Sequence, residues 1–502
     1  MGTGRTGSRD AQAAQSPSLG VSQKEKGYPI DPQATRLASS GLNETGTTMA
    51  HAKSTKKSSK PAKKATANAD WTIMVYLAGD NNLDGAGVAD LHEMKKVGSS
   101  ASVNVIAQFD RAGTRGTTKR FYLRKGSDLP KDAVQDLGET DTGDPKVLRD
   151  FFTWGVKRYP ARHYLLVIWN HGAGWDDSNL YAAHGDYFSG DPPPRLVRKG
   201  MVMDSKGSVA KGGSRRKARP VQMDQARSAV RRAHRALFAP TVDTMVHTRA
   251  IAFDDQAKDF LDNMELKRAL VEFKQLLGRP LDIIGFDACL MAMLEVDYQI
   301  MSAARYAVGS EEEEPGNGWP YDRILKALAK NPAMTPDQLA RTAVTQYAAS
   351  YGVGDGVTLA AVDLSQSDDV AVAVDKLGKS LLPLVGDRSK GTLLSAVRAK
   401  VQEYSAPYDD YVDLVDLCDG LQRLMGDAGV TKASAAVKQA ATAMVLASAA
   451  KGAAVSRSHG ISIYFPKHKV CALYSELDFA KKSAWARFIA SYTKQVAKQG
   501  WN

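Results

Sequence analysis

The chain has 502 residues, 43% hydrophobic and 24% charged, enough to bury a sizeable core, and no apolar run reaches the roughly 18 residues that a membrane-spanning helix needs. Three cysteines, Cys289, Cys418 and Cys471, exclude a disulfide framework and make a reducing, cytoplasmic setting the default expectation, with export left open. The net charge of +12 divides into +6 over residues 1–70, +7 over 176–250 and −1 over the rest, so the body of the protein is neutral and no basic nucleic-acid-binding face is expected on it.

Residues 1–70 are rich in Ser, Thr, Ala, Gly and Lys, the composition of a disordered basic tail. No apolar stretch follows the first residues as it would in a secretory signal. Gly2 and Thr6 fit the myristoylation pattern, a short match of little weight, and Met49 offers an alternative start. WTIMVYLA (71–78) reads as a buried strand, followed by the turn GDNN and a helix over Asp84–Lys95. SVNVIAQFD (102–110) is a second buried strand, and KRFYLRK (119–125) alternates like an edge strand or hairpin. Asp144 at the N-cap and Pro145 at the first helical position open a helix running to Tyr159. HYLLVIWN (163–170) is a third buried strand.

Between 176 and 248 the periodicity fails, and PPP, KGGSRRKARP and scattered Arg indicate a flexible basic insertion. TRAIAFDD (248–255) then reads as a strand, 264–277 as a helix and LDIIGFDA (281–288) as an apolar strand. A helix is expected over Cys289–Met301, then the strand RYAVGS (305–310); beyond Asn317 helices predominate, with late strands at 357–364 and 460–466. Apolar strands alternating with amphipathic helices predict an α/β fold with a mostly parallel sheet covered on both faces.

In such sheets reactive groups collect at the carboxyl ends of strands. Two strands end suggestively: LLVIWN runs into His171-Gly172-Ala173-Gly174-Trp175, and LDIIGFDA runs into Cys289. A thiol at a helix N-terminus is favoured as the thiolate, and a nearby imidazole can take its proton and pass it to a leaving amine. Gly172 lets its N–H approach a substrate, so the backbone N–H groups of Gly172 and Cys289 are candidate oxyanion donors. Taken singly, a Cys in an apolar stretch is a core residue, and Cys418 and Cys471 are read that way. A lone His at a strand end is likewise more often structural, so the joint placement of His171 and Cys289 is what carries the signal.

The strings WTIMVYLAGDNNLD, LLVIWNHGAGW, IAFDD, LDIIGFDACLMAMLEVDYQI, YAVGSEEEEPGNGWPY, YVDLVDL and GISIYFP occur in that order. Together they resemble the clostripain family of cysteine peptidases, relatives of caspases, gingipains and legumain. The resemblance implies a caspase-like α/β/α sandwich with a largely helical C-terminal part, His171 as catalytic base and Cys289 as nucleophile. It implies cleavage after Arg or Lys, with Asp287 as the acidic determinant of the substrate pocket. Residues two apart on a strand share a face, so Asp287 and Cys289 are expected to border one pocket, where a carboxylate can pair with guanidinium. The competing reading of Asp287 is a helix cap beside Cys289.

On this resemblance, residues 71–175 and 249–330 form the catalytic domain, 176–248 is a processing loop, and 331–502 completes the fold. Self-cleavage is expected after Arg195, Lys199, Arg216, Lys217, Arg219 or Arg232. No cofactor is required, although Ca2+ is allowed because some relatives use it. The run Glu311–Glu314 stays open between a cleft border, a Ca2+ ligand set and a solvated loop. No zinc motif is present. The expected partners are peptide substrates carrying Arg or Lys at the cleaved bond, with no specific nucleic acid, no membrane span and a monomeric state. A catalytically silent scaffold or polyanion-binding protein of the same fold is the alternative, and a thiol acyltransferase or esterase using the same pair is a further enzyme reading.

Overall fold

Ten of the eleven residues from Ala69 to Gly79 are buried, and such continuous burial belongs to a strand covered on both faces. The computed structural model describes residues 69–113, 116–175, 202–203, 209–210, 250–254, 259–404 and 410–500. Of the tail expected over 1–70, residues 1–68 lie outside these residues and 69–70 open β1, while most of the 176–248 insertion and all six expected processing positions also lie outside them. In chain order the strands are β1 (Ala69–Gly79), β2 (Val103–Arg111), β3 (Lys119–Tyr122), β4 (Ala133–Asp136), β5 (Ala161–Trp169), β6 (Val202–Met203), β7 (Val209–Ala210) and β8 (Ala250–Asp254). They continue with β9 (Asp259–Asp262), β10 (Leu281–Asp287), β11 (Ala304–Gly309), β12 (Val357–Asp363), β13 (Glu403–Tyr404), β14 (Tyr411–Asp413), β15 (Val445–Lys451) and β16 (Ser462–Tyr464).

Nine of the described strands form one sheet in the order β15-β12-β11-β10-β5-β1-β2-β3-β4. The five central strands, β11 to β2, run parallel. Antiparallel pairs close each side, β12 and β15 on one and β3 and β4 on the other. Along β1 alternate side chains enter opposite cores: Met74, Tyr76 and Ala78 one, Ile73, Val75 and Leu77 the other. The first core is closed by helices including Pro145–Arg158, Asn263–Leu277 and Ser367–Leu381, the second by Asp84–Val97, Tyr321–Lys330 and Pro336–Ser350. The architecture is an α/β/α sandwich.

Local signals set several boundaries. Asp144 accepts from Lys146 N at 2.8 Å with Pro145 at the first helical position, and Asp262 with Glu265 forms a capping box ahead of Asn263–Leu277. Four expectations need correction. KRFYLRK contributes β3, which is internal, because the short β4 pairs outside it. The strand near 250 joins the two-stranded β8–β9 sheet rather than the main one. β15, sequence VLASAAK, was not expected as a strand at all: its small residues follow a helix directly and lie at a sheet edge, where no strong alternation is needed.

The fourth correction concerns the segment after Cys289. The helix begins at Leu294, and Ala288–Met293 forms a turn and extended backbone. Leu290 sits at φ 64°, a left-handed conformation that a continuing right-handed helix cannot accept. Ala292 is drawn out to accept from Ser462 N at 3.0 Å and Ser462 Oγ at 3.1 Å.

Candidate active site

Parallel pairing of β5 and β10 puts Trp169 opposite Asp287 as register partners. His171 and Cys289 each lie two residues beyond that pair, so equal overhangs bring both to the carboxyl edge of adjacent central strands. Asn170 N donates to Asp287 O at 3.3 Å, continuing the pairing toward the site. Gly172 then lies directly on the Cys289 backbone: a Cβ at Gly172 would stand 2.4 Å from Cys289 O and 3.0 Å from Cys289 N. This close approach is why glycine follows the histidine. His171 and Cys289 are 0% and 1% exposed.

The HGAGW block is fastened from several directions. Tyr411 donates its hydroxyl to Ala173 O at 2.7 Å, and Asn263 Nδ2 donates to Gly174 O at 3.1 Å. Trp175 packs edge-on against Tyr464 and Tyr474, each with ring centroids 4.9 Å away. These contacts draw on C-terminal segments, so residues far along the chain position the histidine.

Sequence reasoning took GDNN as a turn and missed Asn82. Its Oδ1 lies 2.7 Å from His171 Nε2, and Asn81 ties β1 to β5 through Asn170 Oδ1 at 3.2 Å. The signal was available, because Asn82 lies just past the end of β1, the strand beside β5. An amide oxygen only accepts, so in this contact Nε2 carries the hydrogen.

Cys289 does not open a helix, so the macrodipole argument for its activation falls away, and with it the helix-cap reading of Asp287. What the sulfur meets is the backbone of the acidic run: Glu314 N donates to Cys289 Sγ at 3.2 Å. Glu311 and Glu314 are buried, so the run is not simply a solvated loop. Among the described residues no group of three or more His, Cys, Asp and Glu side chains stands where it could hold a metal ion. Asp287 is fully buried and accepts from the Tyr321 hydroxyl at 2.9 Å. Cys418 is a core residue as expected, and burial raises its thiol well above the usual range, whereas Cys471 is only partly buried.

Beside Asn82 opens a cavity of about 610 Å3 whose lining includes Asp90, Glu93, Gly318, Asp322 and Tyr351. Asp90 also accepts from Trp169 Nε1 at 2.7 Å, which links the cavity wall to the strand that carries His171. Burial, reinforced by the charge of Asp322, raises the Glu93 carboxyl above its ordinary value. Lys96 Nζ lies 3.6 Å from both Glu93 and Asp322, and Arg323 also lines the cavity, so these carboxylates already have cationic partners.

The clostripain family model matches residues 75–186 and 238–492, well over half of the chain. The chain belongs to the clostripain family. Clostripain from Hathewaya histolytica is 31% identical over 147 residues, a match covering 22% of this chain and 28% of that protein. The chain therefore spans less than a third of the length of that curated relative. Among solved structures, an inactive zymogen of a C11 protease from Parabacteroides distasonis superposes with a TM-score of 0.53 at 19% identity, covering 83% of this chain and 98% of that one. A secreted C11 cysteine protease from Bacteroides thetaiotaomicron gives a TM-score of 0.54 at 14% identity, covering 84% and 99%. A structure of a secreted C11 cysteine protease from the same organism with an irreversible peptide inhibitor gives 0.51 at 19%, covering 84% and 99%. At these identities the solved structures speak to the fold, which is the caspase-like sandwich of the clostripain family. No helix among the described residues is long and apolar enough to cross a membrane.

Proposed function

We propose that this chain is a cysteine endopeptidase that cuts after Arg and Lys, with Cys289 as nucleophile and His171 as general base. The observation that carries the reading is the equal overhang of His171 and Cys289 beyond the paired Trp169 and Asp287, with Gly172 against the Cys289 backbone. His171, oriented by its Nε2 contact with Asn82, takes the thiol proton as Sγ bonds to the scissile carbonyl carbon. The oxyanion is met by the N–H groups of Gly172 and Cys289. Collapse expels the amine, which receives the proton from His171, and water attacking the thioester completes the cycle with the same base.

The preference for a cation draws support from the buried carboxylate of Asp287, two residues before the nucleophile. The closed His171 and Cys289 favour an inactive precursor that opens after a cut in the 176–248 segment, where Arg195, Lys199, Arg216, Lys217, Arg219 and Arg232 are the candidate bonds. The decisive experiment compares wild type, Cys289→Ala, His171→Ala and Asp287→Asn on fluorogenic peptides ending in Arg, Lys or Asp. Both dyad variants should lose turnover. Asp287→Asn should lose discrimination for Arg and Lys while its thiol still alkylates. Wild-type turnover in Cys289→Ala would end the proposal.

A further inference from the structure

Glu311 begins the acidic run, and its side chain leaves the run for a buried cluster built by the C-terminal segments. Its Oε1 accepts from the Tyr404 hydroxyl at 3.0 Å and its Oε2 from Gly460 N at 2.9 Å. Against it lies the carboxylate of Asp413, whose Oδ2 is 3.4 Å from the same Tyr404 hydroxyl. Asp413 in turn accepts from His459 N at 2.6 Å, His459 Nδ1 at 2.9 Å and Asp416 N at 2.6 Å. Glu311, Asp413 and Tyr404 are all withdrawn from solvent.

The backbone of the same segment is laid along the nucleophile. Ala292 N donates to Ser310 O at 2.9 Å, Leu290 N to Glu312 O at 3.4 Å and Glu314 N to Cys289 Sγ at 3.2 Å. Thr358 on β12 accepts from Glu311 N and Glu312 N, each at 3.0 Å. The segment thus has its backbone on Cys289 and the Glu311 side chain in the Tyr404–Asp413 cluster. Resting on the assignment of Cys289 as nucleophile, we propose that Glu311 is a positioning residue: its side chain bridges Tyr404, Gly460 and the Asp413 cluster and so holds Ser310–Glu314 against the thiol.

Two buried carboxylates side by side cannot both ionise without repulsion. Burial first, and then Asp413, hold the Glu311 carboxyl well above its ordinary value. The other groups facing the pair are Tyr404, raised by burial; His459, raised mainly by its hydrogen bond to Asp413; and Asp416, paired with Arg457 at 3.2 Å. The sign follows from the raised values. The folded state binds these protons more tightly, so their contribution to stability is complete below the unfolded values and is lost as pH rises through the folded ones. Glu311 and His459 act in the same direction, and deprotonation releases the segment from Cys289 as pH rises through the raised values.

The test is the full-length protein with Glu311→Gln and Glu311→Ala, read by kcat and KM across pH and by mass-spectrometric rates of iodoacetamide alkylation at Cys289. A glutamine accepts from Tyr404 or Gly460 and donates to Asp413 without ionising, so Glu311→Gln should keep the activity of the low-pH form and lose the decline that accompanies rising pH. Glu311→Ala should lower kcat by about 10- to 100-fold with little change in KM, the effect expected of a nucleophile displaced by a fraction of an ångström to 1 Å. If Glu311→Ala fails to fold, the profile of Glu311→Gln still decides. A pH profile of Glu311→Gln whose falling limb superimposes on wild type overturns the proposal, as does a folded Glu311→Ala with wild-type kcat. Alkylation at Cys289 needs no peptide cleavage, so it separates failure of this inference from failure of the peptidase assignment.

Discussion

Replacing Gly172 with alanine tests the closest contact in the site. The added Cβ would stand 2.4 Å from Cys289 O, 2.9 Å from Ala288 Cβ and 3.0 Å from Cys289 N. Most of that obstruction is backbone, which cannot rotate away as a long side chain can. Ordinary contact begins near 3.4 Å, so the His171 and Cys289 segments must separate by about 1 Å. Overpacking of this kind costs about 1–3 kcal/mol of stability, which the large double core tolerates as a fall of a few degrees in melting temperature. The catalytic consequence is larger: a misplacement of about 1 Å lowers rate by about 100-fold, or about 2.7 kcal/mol in the barrier. Thermal denaturation, Arg-peptide turnover and iodoacetamide alkylation of Cys289 separate the two effects. Alkylation should persist, because the thiol remains, while kcat/KM collapses. A folded Gly172→Ala protein with wild-type kcat/KM would show that these two strand ends do not work together.

Asn82→Ala should reduce kcat by roughly tenfold, the scale of one hydrogen bond to a group that becomes charged in the reaction. Asn82→Asp keeps the acceptor and should restore much of the rate, and equal kcat in wild type and Asn82→Ala would dismiss its role in orienting His171. Self-processing is expected after Lys or Arg within residues 195–235. Intact-mass spectra of wild type beside Cys289→Ala read it: fragments of equal abundance in both would assign the cut to another protease.

The central strands were legible because they are buried on both faces, and WTIMVYLA, LLVIWN and LDIIGF are continuous apolar runs that few other structures accommodate. The placement of His171 and Cys289 at the ends of adjacent strands was legible for the same reason, since each lies just beyond such a run. Chemistry at the ends of parallel strands is a consequence of sheet topology, which local sequence reports well. The small edge strand β15 and the internal position of β3 were not legible, because edge and interior differ only in what lies alongside.

The environment of the thiol depended on residues distant in sequence. Apolar spacing from Cys289 to Met301 suits a helix, yet Leu290 turns left-handed and Ala292 is pulled into contact with Ser462, some 170 positions away. Likewise four adjacent glutamates look like a solvated loop until Tyr404, Asp413 and Gly460 enclose the first of them. Periodicity records which side chains avoid water. It carries no record of which distant carbonyl or carboxyl group completes a hydrogen bond, and those partners exist only once the C-terminal strands have docked against the sheet.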